Sequence, residues 1–181
     1  GNMKILLDGE AIKEEWGEIL FTDYGLSGIV CMNLSEIVSR NFESKEPKKC
    51  VAVIDLASDF SEKELKEHIE KFKKLDGVLG YKVSAILSKM AGGDKEKEAH
   101  CAKNFQLIIN GTKGYNFAQI TSGGAELNEF DNFKSKLIKN LYACGEVLDK
   151  QFECGGYNLN FAFYSGIKVA DNINKRGQNN D

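Results

Sequence analysis

The sequence predicts an α+β chain, and three observations carry that class. A β-branched run, Val51-Ala52-Val53-Ile54, lies between charged text and the sole proline, Pro47, which is how a short buried strand reads. Ser61 and Glu64 then stand at capping-box spacing ahead of Leu65, Ile69, Phe72 and Leu75, whose three- and four-residue steps describe an amphipathic helix. From Phe105 to Asn110 the texture returns to strand.

The remaining elements follow in order. Lys4 to Ile12 reads as a strand with a turn at Asp8-Gly9, and Gly17 to Thr22 as a second strand. Ser27 is expected to cap a helix from Gly28 to Phe42, with Ile29, Met32, Leu34, Ile37 and Val38 on its apolar face. Two shorter helices, Lys82 to Met90 and Lys95 to Lys103, are split by Gly92-Gly93. The middle of the chain is thus a small helical subdomain between strands. Beyond it, Asn116 to Thr121 and Asn140 to Glu146 read as strands, and Tyr157 to Ile173 as an apolar last helix whose aromatic residues Tyr157, Phe161, Phe163 and Tyr164 form a packing face. A polar tail from Asn174 to Asp181 is expected to fray.

Composition narrows the function classes. With 181 residues, 42% hydrophobic and 28% charged, the chain is ordinary globular material that can bury a core. A net charge of −3 speaks against a dedicated nucleic-acid binder, so no nucleic-acid partner is expected. No apolar run approaches a membrane span, which predicts no membrane partner and a cytoplasmic location. Cys31, Cys50, Cys101, Cys144 and Cys154 are odd in number and form no CxxC pair, so they read as reduced, structural thiols. His68 and His100 are the only histidines and have no company suited to a metal site or a catalytic triad; no metal is expected. Gly25-Leu26-Ser27-Gly28 is one residue short of a nucleophile elbow. Gly1 resembles a tag-cleavage scar, and the text then runs straight into a strand, which leads us to expect a fragment or a truncated reading frame.

The chemistry concentrates near the end. In Leu141-Tyr142-Ala143-Cys144-Gly145-Glu146 an apolar strand closes on a glycine and a carboxylate, well placed to accept hydrogen bonds from sugar hydroxyls. Gly155-Gly156-Tyr157-Asn158 then opens the last helix, and a diglycine entry exposes amides and the positive end of the helix dipole to a ligand. A strand, a turn and a glycine-started core helix with no ligand explain the same local text equally well.

Leu141 to Glu146 resembles the second nucleotide motif of flavoproteins with two dinucleotide folds. Three further stretches are similar to one family, the bacterial YhiN/BaiN-type NAD(P)/FAD-dependent oxidoreductases, some of them described as aminoacetone oxidases. These are Gly17 to Gly28 (a "GE-LFT-H-YG-SG" segment, with Asp23 where that family often has histidine), Ala118 to Gly124 (an "A-VT-GG" segment), and Gly155 to Ala162 with Ser165-Gly166. The resemblance implies a small β-barrel-like insert with a helical subdomain over residues 1–109, on the substrate side, followed at 110–181 by the C-terminal part of a Rossmann-type FAD-binding domain. It places Gly145 and Glu146 near the ribityl or pyrophosphate of FAD. Gly155, Gly156, Tyr157 and Asn158 would face the isoalloxazine, and Thr121, Ser122, Gly123 and Gly124 would lie beside it. It also implies NAD(P)H and a small-molecule substrate, with hydride passing through the flavin.

The strand–GxGxxG–helix unit that opens that family is not in this sequence. The resemblance therefore implies FAD in a full-length parent and no tight retention by this chain, which alone would be inactive. No catalytic acid or base can be named. The alternative is a non-catalytic interaction or assembly module derived from a flavoprotein, in which exposed sheet edges favour a homodimer.

Overall fold

The computed structural model describes residues 1–177 and divides into two compact units, Gly1–Thr112 and a second that starts at Lys113. The first holds four strands in one antiparallel sheet, ordered β2 (Glu10–Trp16), β1 (Asn2–Leu7), β5 (Cys50–Asp55), β6 (Phe105–Ile109). A separate hairpin joins β3 (Leu20–Thr22) to β4 (Gly25–Ser27). This sheet and hairpin are the barrel-like part that the sequence anticipates, and the chain is α+β.

Alternation decides which face of the sheet is buried. Met3 and Ile5 of β1 and Cys50, Ala52 and Ile54 of β5 point to one side, where Val30, Leu34 and Val38 of α1 (Ile29–Phe42) pack on them. A period of two meets a period of about 3.6, and both put their apolar residues at one seam. Ser27 does not cap α1. It pairs with Leu20 in the hairpin, and Gly28 takes the cap position without a side-chain bond.

A second core belongs to the helical piece. Leu65 and Ile69 of α2 (Glu62–Phe72), Leu87 of α3 (Tyr81–Ala91), and Ala99 and Ala102 of α4 (Lys95–Lys103) enclose Leu75 and Ala57. The expected capping box is present: the Ser61 hydroxyl accepts from the Glu64 amide at 3.2 Å, and the Glu64 carboxylate accepts from the Ser61 amide at 2.8 Å. Leu56 and Phe105 border both cores. Between them Lys103 fixes the turn out of β5, donating to Asp55 at 2.6 Å, to the Phe60 carbonyl at 2.7 Å and to that of Ala57 at 3.2 Å.

The second unit contradicts two expected strands. Tyr115–Phe117 is a 3-10 turn rather than the start of a strand, and Gly145–Val147 is another. Only the two-residue strands β7 (Phe130–Asp131) and β8 (Lys134–Ser135) form there, before α5 (Tyr157–Gly177). The physical reason is partnership: the apolar text near 141 meets only the short β7–β8 turn region, where Ser135 donates to Leu141 O at 2.9 Å and Ala143 to Phe133 O at 3.0 Å. A strand needs a neighbour to satisfy its backbone. The aromatic face of α5 is also only partly packed. Phe161 meets Phe133 and Phe152, whereas Tyr157, Phe163 and Tyr164 are exposed. Among the described residues no helix is long and apolar enough to cross a membrane.

Glu98 of α4 is 3% exposed, and one of its oxygens has no partner among the described residues. Burial raises its carboxyl above the ordinary value, although a bond from Ser88 partly offsets this. A raised acid favours folding while protonated, so this stabilisation is present below the ordinary carboxyl range and is lost as pH rises through the raised value. Glu98→Gln should therefore melt higher than the parent at pH 8, with the gap shrinking towards pH 4, as read by thermal denaturation across that range.

Candidate functional site

The loop after residue 118 is held against the segment 145–149 by backbone pairing. Ala125 donates to Val147 O at 2.8 Å and Asp149 donates back to Ala125 O at 2.9 Å, forming a parallel bridge of Ala125 with Leu148. Gly124 is required by this contact, because a Cβ there would lie 2.5 Å from Val147 O and its φ is +138°. Two side chains extend the pairing upstream. The Asp149 carboxylate accepts from Gly123 N at 3.2 Å, and the Glu146 carboxylate accepts from Thr121 N. Thr121 to Gly124 are thus brought onto the segment from Glu146 to Asp149.

Gly145 is fixed from the other side. Its amide donates at 2.9 Å to Ser165 Oγ, which donates in turn to Phe161 O at 2.7 Å. Gly145, Leu148 and Ser165 are the buried residues of this unit among those described. A hydroxyl bonded inside the helix that also accepts a loop amide is a joint between α5 and the turn.

The entrance to α5 lies further along. Asn160 N closes the first turn on Gly156 O at 3.0 Å, and the preceding first-turn amides have no partner within the helix. Its link to the loop is through Cys154 Sγ, 3.9 Å from Gln119 Oε1. Asn158 has both ends of its carboxamide on Phe152, accepting from its amide and donating to its carbonyl, each at 3.0 Å. That side chain holds the 152–158 turn closed. Tyr157 is exposed beside it.

Asp149 and Ser165 brace the candidate site without having been expected in it. Ser165 stood in the sequence only as part of the Ser165-Gly166 stretch that carries the resemblance, with no role attached. Asp149 had no signal, since a loop aspartate is unremarkable until the loop it bonds is known. The first unit has a cleft of about 320 Å³ lined by Gly17, Ile19, Phe21, Leu56, Leu79 and Val83, with Glu18 as its acidic side chain. Burial pushes the Cys31 thiol up to about 11 and raises that of Cys50, which suits packing and not nucleophilic chemistry. No group of three or more metal-ligating side chains occurs among the described residues.

The sequence profile of the HI0933-like protein barrel and H2TH domain matches residues 2–120. The chain belongs to the HI0933-like family. Among curated relatives, the 3-dehydro-bile acid delta(4,6)-reductase of Clostridium scindens is 28% identical over 183 aligned residues, covering 89% of this chain and 45% of the relative. The ribosomal RNA dihydrouridine synthases of Escherichia coli and Haemophilus influenzae are each 26% identical, over 86% and 91% of this chain and 42% and 44% of theirs. The chain therefore spans less than half the length of the curated relatives it matches. The resemblance to YhiN/BaiN-type flavoproteins holds, and with it an oxidoreductase-type domain.

The flavin group fits the second unit on one local test. Gly123 and Gly156 have left-handed φ values of +104° and +88°, and nothing lies within 4 Å of the place a Cβ would take. Bare backbone open to a flat ligand is thus present in the loop and at the helix entrance. Ser122 Oγ, next to Gly123 in the chain, is buried and has no partner among the described residues. Ser165→Ala should strand the buried Gly145 amide at a cost of about 1–3 kcal/mol. Faster hydrogen exchange at Gly145 and Leu148, with the β1–β5 sheet unchanged, is the expected reading.

Proposed function

We propose that this chain carries part of the FAD site of a reductase that delivers hydride to a carbon–carbon double bond conjugated to a carbonyl. The carrying observation is the bond from Thr121 N to the Glu146 carboxylate, which joins the two segments expected beside the ring and the ribityl chain. The relatives' names support the reaction class. A 3-dehydro bile acid with Δ4,6 unsaturation is a conjugated ketone, and dihydrouridine arises from uracil by saturating the bond conjugated to its carbonyl.

In this reading FAD, when bound, passes hydride from NAD(P)H to the acceptor. Glu146 keeps one oxygen on Thr121 and offers the other to sugar hydroxyls. Gly145, with φ of +70°, would turn the chain at the ribityl region. The open backbone at Gly123, with Ser122 and Gly124 beside it, would line the edge of the ring, and the amides at Gly155, Gly156 and Tyr157 would put the positive end of α5 where negative charge collects on reduction. Asn158 positions this entrance through Phe152. The 1–109 region supplies the substrate side.

Glu146→Ala, made in the gene product that contains this chain, should lower FAD affinity by about tenfold or more through loss of charge-assisted bonds. Flavin absorbance after purification and FAD titration read it. A folded parent that never turns yellow would overturn the proposal. The isolated 181-residue chain, lacking a GxGxxG unit, should show no sub-micromolar binding.

A second reading, an interaction module, is favoured by one observation. Leu159, Phe163 and Ile167 lie at four-residue steps on α5 and are each more than half exposed, forming an apolar stripe of the kind that marks a protein contact. If a second copy covers it, sedimentation will show a concentration-dependent dimer that Phe163→Glu abolishes.

A further inference from the structure

Helix α4 is held by its neighbours on unequal terms. Towards α2 it is fastened by ion pairs at the surface: Glu96 takes Lys66, and His100 Nδ1 lies 3.5 Å from Glu62. Towards β5 its last residue, Lys103, reaches Asp55 at 2.6 Å. The buried residues of α4 are Glu98, Ala99 and Ala102. Two alanines bury little apolar area, so the carboxyl weighs heavily in this seam.

Glu98 has almost nothing to compensate its charge. It is 3% exposed, it is bonded by Ser88 of α3, and its Oε1 has no partner among the described residues. The charged groups on each side are committed elsewhere. On α2, Glu62 and Lys66 have the partners just named, Glu64 is bonded to Ser61, and His68 meets the Asp76 carbonyl. On α3, Lys82 and Lys89 are exposed. On β5, Asp55 is taken by Lys103. On α4 itself Lys97 is exposed, and Lys95 and Cys101 are half-buried.

The joint between α3 and α4 is a diglycine. Gly92 and Gly93 have φ of +64° and +88°, with nothing within 4 Å of a Cβ at either, so no neighbouring atom braces the turn. Asp94 then caps α4, accepting from Glu96 N at 2.9 Å and Lys97 N at 3.1 Å. The far end of α3 is where Leu79, Gly80 and Val83 line the apolar cleft. Eleven residues of helix place that end about 16 Å from the joint.

We propose that Glu98 is a proton-operated latch on α3 and, through it, on the cleft. Protonated, the carboxyl stays in the seam and the helical piece is closed. When the proton leaves to water, the buried carboxylate has a hydroxyl and no cation beside it. The state in which α3 loosens on the diglycine and admits water is then favoured. The two protonation states thus select different positions of the cleft wall. Burial raises this carboxyl, so closure is complete below the ordinary carboxyl range and is lost as pH rises through the raised value. The latch lies within the first unit and does not rest on the flavin reading.

Residue-resolved hydrogen exchange of the full chain at pH 5 and pH 8, corrected for intrinsic rates, tests this. Leu79, whose amide is bonded to Leu75 O at 2.8 Å, and Leu87 should lose protection at the higher pH, by at most about tenfold per pH unit for one proton. The amides of β5 should not change. Glu98→Gln should keep α3 protected at both pH values. Circular dichroism checks folding, and Glu98→Leu reads the same point if the glutamine variant does not fold. His100→Gln removes the other group on α4 whose pairing depends on protonation, and should keep the parent's response. The proposal is overturned if α3 is equally protected at both pH values, if the Glu98 variants keep the response, or if His100→Gln abolishes it. It is also overturned if Leu79 stays protected while Leu87 opens, or if β5 opens in step with α3.

Discussion

The second unit depends on one short stretch of backbone pairing, Ala125 with Val147 and Asp149. With only Gly145, Leu148 and Ser165 buried there among the described residues, hydrophobic burial cannot specify this region as it specifies the first unit. Hydrogen bonds do so instead, and their geometry is strict where burial is permissive. Glu146 and Asp149 take the amides that the pairing leaves over, and Ser165 ties the whole turn to α5. Thr121 to Gly124 and Glu146 are held, directly or at one remove, by that pairing, whereas the entrance of α5 is held by Asn158 on Phe152.

The first unit is built differently. Its two cores meet at Leu56 and Phe105, so sheet and helices share a boundary fastened by Lys103. The turn between α2 and α3 belongs to the same frame: Leu75 is buried in the helical core and its amide donates to Ser84 Oγ at 3.2 Å.

Much of the site was legible because glycine and carboxylate placement is local. Gly145-Glu146, Gly155-Gly156 and Thr121 to Gly124 are recognisable as text, and the fold joins Thr121 to Glu146 and Gly123 to Asp149. Asn158 was legible as a polar residue at a helix entrance, but its carboxamide is spent on Phe152. Asp149 and Ser165 were not legible as site members, since each acts on a segment at least 20 residues away in sequence.

The sequence by itself determined the α+β class, the capping box at Ser61, the strands at 50–55 and 105–109 and the four helices from α2 to α5, because each is set by periodicity and end signals within a few residues. It did not determine that residues 116–121 and 140–146 would forgo strand conformation, nor that Ser27 would pair in a hairpin and leave the cap of α1 to Gly28. Those outcomes depend on which backbone groups find partners across the fold. Only the tertiary structure decides that, since an unpaired N–H or C=O is satisfied by whatever chain lies opposite it, not by the residues on either side.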